Sequence, residues 1–138
     1  MQNYVTLHGA LAGSALREVM DAAHIFLLPS VSVEGDQEGQ GLALQEAQAA
    51  GLPVVATDHG ALPEGMLPGE SGFLIPEGDV NALAERLGYL VQHPEIWPKL
   101  GRNGRQFAVA RYDVRKLNEE LVSLYRSTLK KFSGNRYA

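Results

Sequence analysis

A chain of 138 residues is long enough for one domain with a single core, which at this size buries roughly 68–70% of the surface exposed by the unfolded chain. With 45% hydrophobic residues, 20% charged residues, 15 Gly and 7 Pro, the composition excludes collagen-like, coiled-coil and disordered classes. The chain contains no cysteine. That excludes a disulfide scaffold, a thiolate nucleophile and any Cys-built zinc or iron–sulfur centre. Together with the absence of a signal-peptide pattern in residues 1–10, it points to a reducing, cytoplasmic setting. No apolar run reaches the length of a membrane span. The net charge of −4 combines two unlike parts, because residues 1–98 carry a balance of −11 with Arg17 and Arg86 as their only bases, and residues 99–138 carry +7. The basic part has no interleaved aromatic stacking groups and follows helical spacing, so it reads as a solvated helix face and not as a nucleic-acid site.

In chain order, short apolar runs alternate with amphipathic stretches, the pattern of a parallel sheet with crossover helices. Residues 4–7 read as a first strand and residues 15–22 as a helix. The unalternating run 24–28 (HIFLL) suits a strand buried on both faces, stopped by Pro29 and Ser30. A loop over residues 31–40 precedes Gly41, which opens the helix LALQEAQAA that Gly51 ends. Residues 53–56 form the next strand, followed by a long Gly- and Pro-rich loop and the short strand GFLI from Gly72. Asp79 caps a helix over residues 80–91, His93 and Pro94 break the chain, and a short segment carries Trp97 and Leu100. A terminal helix over residues 112–132 carries Val114, Leu117, Leu121, Leu124 and Thr128 at helical spacing, and residues 133–138 read as a disordered tail.

This alternation places residues 29–41 at the carboxyl end of a strand and the amino end of a helix, where open α/β sheets bind ligands. Backbone N–H groups at the helix start beside Gly41 lack intrahelical partners and suit a phosphate, and Gly39 and Gly41 allow close approach. Glu38 precedes this anchor. Glu46 follows Gly41 by about 7.5 Å along the helix at ~1.5 Å rise per residue. A phosphate at the helix start leaves a sugar near Glu38 and a ribose near Glu46, because carboxylates accept hydrogen bonds from paired hydroxyls. His8, His24, His59 and His93 lack metal-ligand spacing, so no metal site is expected; they read as structural or surface residues, with His8 and His59 in loops near the cleft. Pro63 and Glu64 read as a turn shaping the cleft, and Trp97 as a core or docking anchor. Ser30 has no acid–base partner at the spacing of a nucleophile elbow, which disfavours a hydrolase.

The stretches IFLLPS, EGQGLALQEAQAAGLPVVAT and GALPEGMLPGESGFLIPEGD resemble the retaining, nucleotide-sugar-dependent glycosyltransferases of the GT-B fold. The signature is Glu, seven residues, Glu, here Glu38 and Glu46, and the insert VEGDQ further resembles enzymes of colanic acid and exopolysaccharide assembly. The resemblance implies an α/β, Rossmann-like parallel sheet with flanking helices over residues 1–132, the later part of the nucleotide-sugar-binding carboxy-terminal domain. It implies that Glu38 contacts the donor sugar as the catalytic residue. It further implies that the backbone around Gly39, Gln40, Gly41 and Leu42 faces the diphosphate and that Glu46 holds the ribose. Gln40 stands where the family commonly has Phe or another apolar residue.

By the same resemblance the expected reaction is hexose transfer from a nucleoside diphosphate to a hydroxyl acceptor, with a nucleotide sugar as donor substrate and no cofactor. An amino-terminal acceptor domain and the opening strand and helix of the nucleotide domain, with their Arg and Lys pair, are expected outside this sequence. The isolated chain is therefore expected to be inactive and, with only Arg17 and Arg86 in its acidic part, to bind nucleotide weakly. Peripheral membrane contact of the parent enzyme and a homo-oligomer of this chain are further expectations. The strand at residues 4–7 either shifts inward to pair with residues 25–28 or leaves that edge to a second copy. Two readings stand beside this one: a non-catalytic Rossmann-like interaction module and a fragment of a GT-B sugar-nucleotide epimerase.

Overall fold

The computed structural model describes residues 4–33, 39 and 41–134. In chain order the described elements are α1 (Gly13–Ala22), β1 (Phe26–Leu28), α2 (Leu42–Ala50), β2 (Val54–Thr57), β3 (Gly72–Ile75), α3 (Val80–Gln92), α4 (Trp97–Tyr112) and α5 (Val114–Gly134). Short 3₁₀ turns lie at Pro63–Gly65 and Pro94–Ile96. The three strands form one parallel sheet in the order β1-β2-β3, with Leu27 opposite Val55 and Val55 opposite Phe73.

Every residue of β2 is buried, as a central parallel strand covered on both faces must be. On one face Val54 and Ala56 pack with Leu44 and Ala47 of α2 and with Leu52, Leu62 and Met66. On the other, Val55 and Ile75 pack with Leu90 of α3 and Leu100 of α4. Alternation of side chains along the strand produces the two layers. Asp79 caps α3 as its sequence position demands, its carboxylate accepting from the Ala82 N–H at 2.9 Å. Trp97 is an internal anchor, its indole N–H donating to the Leu90 carbonyl at 2.7 Å and its ring against His24 at 5.5 Å between centroids.

Four expectations are corrected. Residues 4–7 are not a strand: Tyr4 and Leu7 are 93% and 92% exposed, and among the described residues the sheet has three strands, so the inward pairing with β1 does not occur. A lone apolar tetrad becomes a strand only when a neighbour takes its backbone groups. For the same reason β1 is not buried on both faces: it is an edge strand, and Leu27 is exposed. The segment after Pro94 is a full helix of 16 residues, α4, in place of a short stretch. The terminal helix starts at Val114, after Asp113, whose carboxylate accepts from the Arg115 N–H at 2.9 Å. Its Val114, Leu117, Leu121 and Leu124 are all exposed. Residues 135–138 of the expected tail lie outside the described residues.

Candidate functional site

The site begins where β1 ends. Pro29 and Ser30 leave the sheet, and the Thr57 hydroxyl at the end of β2 donates to the Ser30 carbonyl at 2.7 Å, which ties the outgoing loop to the central strand. Ser32 is tied a second time. Its N–H and hydroxyl both donate to Glu77, the hydroxyl at 3.1 Å, and Glu77 stands just beyond β3. His59 completes the group, with Nδ1 3.0 Å from Glu77 Oε2 and 3.3 Å from Ser32 Oγ. A carboxylate only accepts, so Nδ1 carries a proton and donates. The Ser32 N–H first, and His59 next, hold the Glu77 carboxyl below its ordinary value of 4.5.

The loop returns at Gly41, whose φ of +61° is left-handed and whose carbonyl accepts from the N–H groups of Leu44 and Gln45. The amides of Leu42 and Ala43 head the first turn of α2, where a helix offers no internal acceptor, so this end favours an anion. Below it, α2 is clamped to the loop after β2. Gln45 and Gln48, both buried, donate to the Gly65 carbonyl at 3.1 and 2.7 Å. Leu62 from the same loop lies directly under Gly41.

One turn along α2, Glu46 is exposed and lines a cavity of about 610 Å³ between α1, α2 and α4. Arg17 and Asp21 of α1 and Arg105 of α4 share its wall. The expectation counted only Arg17 and Arg86 among the bases of residues 1–98; the structure adds to the cavity wall a base from outside that stretch, Arg105, beside Arg17. The Arg86 guanidinium sits 4.9 Å from the Phe73 ring centroid instead. α4, the first helix of the basic carboxy-terminal part, packs against α2, so Arg17 and Arg105 line one cavity together with Asp21 and Glu46.

Of the expected site residues, the structure places Gly41 and Leu42 at the helix start and Glu46 on the cavity wall. Gly39 is exposed in the loop. Glu38 and Gln40 lie outside the described residues. His59 was expected only as a loop histidine near the cleft, and Ser32, Glu77 and Arg105 had no assigned part. A histidine after one strand and a glutamate after the next signal a joint site only once the strand order makes them neighbours. Among the described residues no group of three or more His, Asp or Glu is placed to hold a metal ion, and no helix is long and apolar enough to cross a membrane.

Comparison with known proteins agrees with this fold. Residues 1–93 match the family model of glycosyl transferases group 1. The colanic acid biosynthesis glycosyltransferase WcaL of Escherichia coli strain K12 is 38% identical over 127 residues, 90% of this chain and 31% of that protein. The chain thus spans about 31% of the length of the curated relatives it first matches. Among solved structures, sucrose-phosphate synthase of Thermosynechococcus elongatus superposes with a TM-score of 0.81 at 30% identity, covering 94% of this chain and 31% of that one. HepE of Anabaena, solved in complex with UDP and glucose, superposes with a TM-score of 0.79 at 25% identity, covering 91% of this chain and 33% of that one. With two thirds of its length under the family model and its parallel sheet shared with GT-B enzymes, the chain belongs to the glycosyl transferases group 1 family.

Proposed function

We propose that the chain is the donor-binding part of a retaining hexosyltransferase, which moves a hexose from a nucleoside diphosphate to a hydroxyl acceptor in polysaccharide or glycoconjugate synthesis. The observation that carries this reading is the pairing, on one helix, of an anion-favouring amino end at Gly41 with Glu46 on the wall of a cavity flanked by Arg17 and Arg105. The amides of Leu42 and Ala43 take the diphosphate. Glu46 accepts from the ribose hydroxyls, and the two guanidiniums offset the charge of the nucleotide. The names of the relatives support the class of product, and the UDP complex of HepE supports a nucleotide donor. Glu38 is the residue we propose to meet the donor sugar.

The discriminating experiment separates ribose from phosphate. Glu46→Ala should weaken UDP binding by about tenfold, the worth of a charge-assisted hydrogen bond, and leave inorganic pyrophosphate within about twofold. Calorimetric titration of both ligands reads this directly, and equal losses for the two would remove Glu46 from the ribose.

A donor site alone does not transfer sugar. A large share of the rate enhancement in a bimolecular transfer, about 7–11 kcal/mol of the barrier, comes from holding the acceptor against the donor, and this chain spans only 31% of its relatives. Incubated with UDP-glucose and an added hydroxyl acceptor, the 138-residue chain should give no glycoside above the uncatalysed background. Measurable turnover would show that it binds the acceptor as well.

A further inference from the structure

The ends of three parallel strands are joined by one side-chain cluster. Ser32 follows β1, His59 follows β2 and Glu77 follows β3, and the three meet through the bonds of 3.0 to 3.3 Å described above, together with the Ser32 N–H bond to Glu77. The His59 side chain is only 4% exposed, whereas that of Glu77 is 32% exposed. A buried imidazole with a surface carboxylate and a loop hydroxyl is not required to hold the sheet, whose strands are already paired along their whole described length.

The cluster reaches the site from two sides. On the entry side it fixes Ser32, just after the Ser30 carbonyl that Thr57 holds. On the exit side the His59 carbonyl accepts from the Leu62 N–H at 3.1 Å. The Leu62 side chain is fully buried and closes the space beneath Gly41. Movement of His59 therefore moves both the entry of the loop and the floor under the first turn of α2.

We infer that His59 is a positioning residue for the phosphate-binding start of α2, acting through Ser32 and Glu77 on one side and Leu62 on the other. This rests on the donor-site reading for its ligand, though not for its geometry. A hydrogen-bonded support of this kind holds binding groups in place so that the ligand does not have to order them. The requirement on His59 is one N–H at the place of Nδ1. Asparagine supplies such a donor and alanine does not.

The test uses the 138-residue chain with His59→Ala, His59→Asn and Glu77→Gln, read by amide NMR at Ser32, Gly41 and Leu42 and by UDP titration. His59→Ala and Glu77→Gln should shift all three amides in the ligand-free chain and weaken UDP binding about fivefold, the value of one net hydrogen bond. His59→Asn should return the amides and the affinity most of the way. Glu77 lies at the surface, so Glu77→Gln reports even if His59→Ala unfolds. Unmoved Gly41 and Leu42 amides in folded Glu77→Gln, or a folded His59→Asn that behaves like alanine, would overturn the inference and leave His59 a packing residue. If UDP fails to perturb Gly41 in the unaltered chain, the donor-site reading falls, and the ligand-free amide shifts alone decide the role of His59.

Discussion

Replacing Gly101 by alanine is expected to destabilise the chain by about 3 kcal/mol, the upper part of the usual range for overpacking a well-packed contact. Gly101 lies on α4 where that helix crosses the end of α2, and a Cβ there would sit 2.0 Å from the Gly51 carbonyl oxygen and 2.9 Å from its carbon. Both are backbone atoms. Gly51 cannot yield, because it ends α2 in the left-handed conformation at φ +83° with its N–H given to the last turn of the helix. Relief must come from α4 lifting away, which also parts Gly104 from Gln48 and Ser71 and Leu100 from the second core layer. Gly88, in the middle of α3 with nothing within 4 Å of an added Cβ, is the internal contrast: alanine there should raise stability by roughly 0.5–1 kcal/mol through helix propensity alone. Urea midpoints of the two variants should move in opposite directions. A Gly101→Ala chain as stable as the parent would show that α4 does not pack on α2 at this distance.

That same contact explains why the full length of α4 is not legible in the sequence. Pro98, Gly101 and Gly104 lower helix propensity within a few residues, so local preference argues for a short, broken segment. Tertiary packing overrides it, because only glycine lets the two helices approach so closely. The available signal was the stripe Leu100, Gly101, Gly104 and Ala108, all buried, a face of small residues at helical spacing. Arg105 is hidden with α4, since a basic stretch at helical spacing reads as a solvated face and carries no local signal that it packs beside Glu46. By contrast, β3 was legible to the residue, and α2 with Gly41 before it and Gly51 after it was legible because its ends are set by local backbone chemistry. The position of Glu46 one turn along α2 is likewise readable from spacing along one helix. The cluster of Ser32, His59 and Glu77 was not, since its members are brought together by strand order across 45 positions of sequence.

Gly41→Ala is expected to do more harm to anion capture than to the fold. At φ +61° an L side chain is strained, and its Cβ would lie 2.5 Å from Leu62 Cδ2. The clashing atom is the end of a side chain, but Leu62 is fully buried in the core layer that also holds Leu44 and Met66, so its room to rotate is small. Together the backbone strain and the crowding should cost about 1–2 kcal/mol of stability. The cheapest relief is for Gly41 to leave the left-handed region, which reorients the amides of Leu42 and Ala43 at the head of α2. Those amides make no distinction between a nucleotide and a bare diphosphate. UDP and inorganic pyrophosphate should therefore lose affinity by a similar factor, about tenfold or more for two misdirected charge-assisted bonds, in contrast to the selective loss expected from Glu46→Ala. Gly88→Ala serves as the control, because a Cβ at Gly88 meets nothing within 4 Å and α3 carries none of the proposed donor-binding residues, so both ligands should bind nearly unchanged. A folded Gly41→Ala chain that binds pyrophosphate as the parent does would place the diphosphate elsewhere, with the guanidiniums of Arg17 and Arg105 on the cavity wall the next candidates to remove.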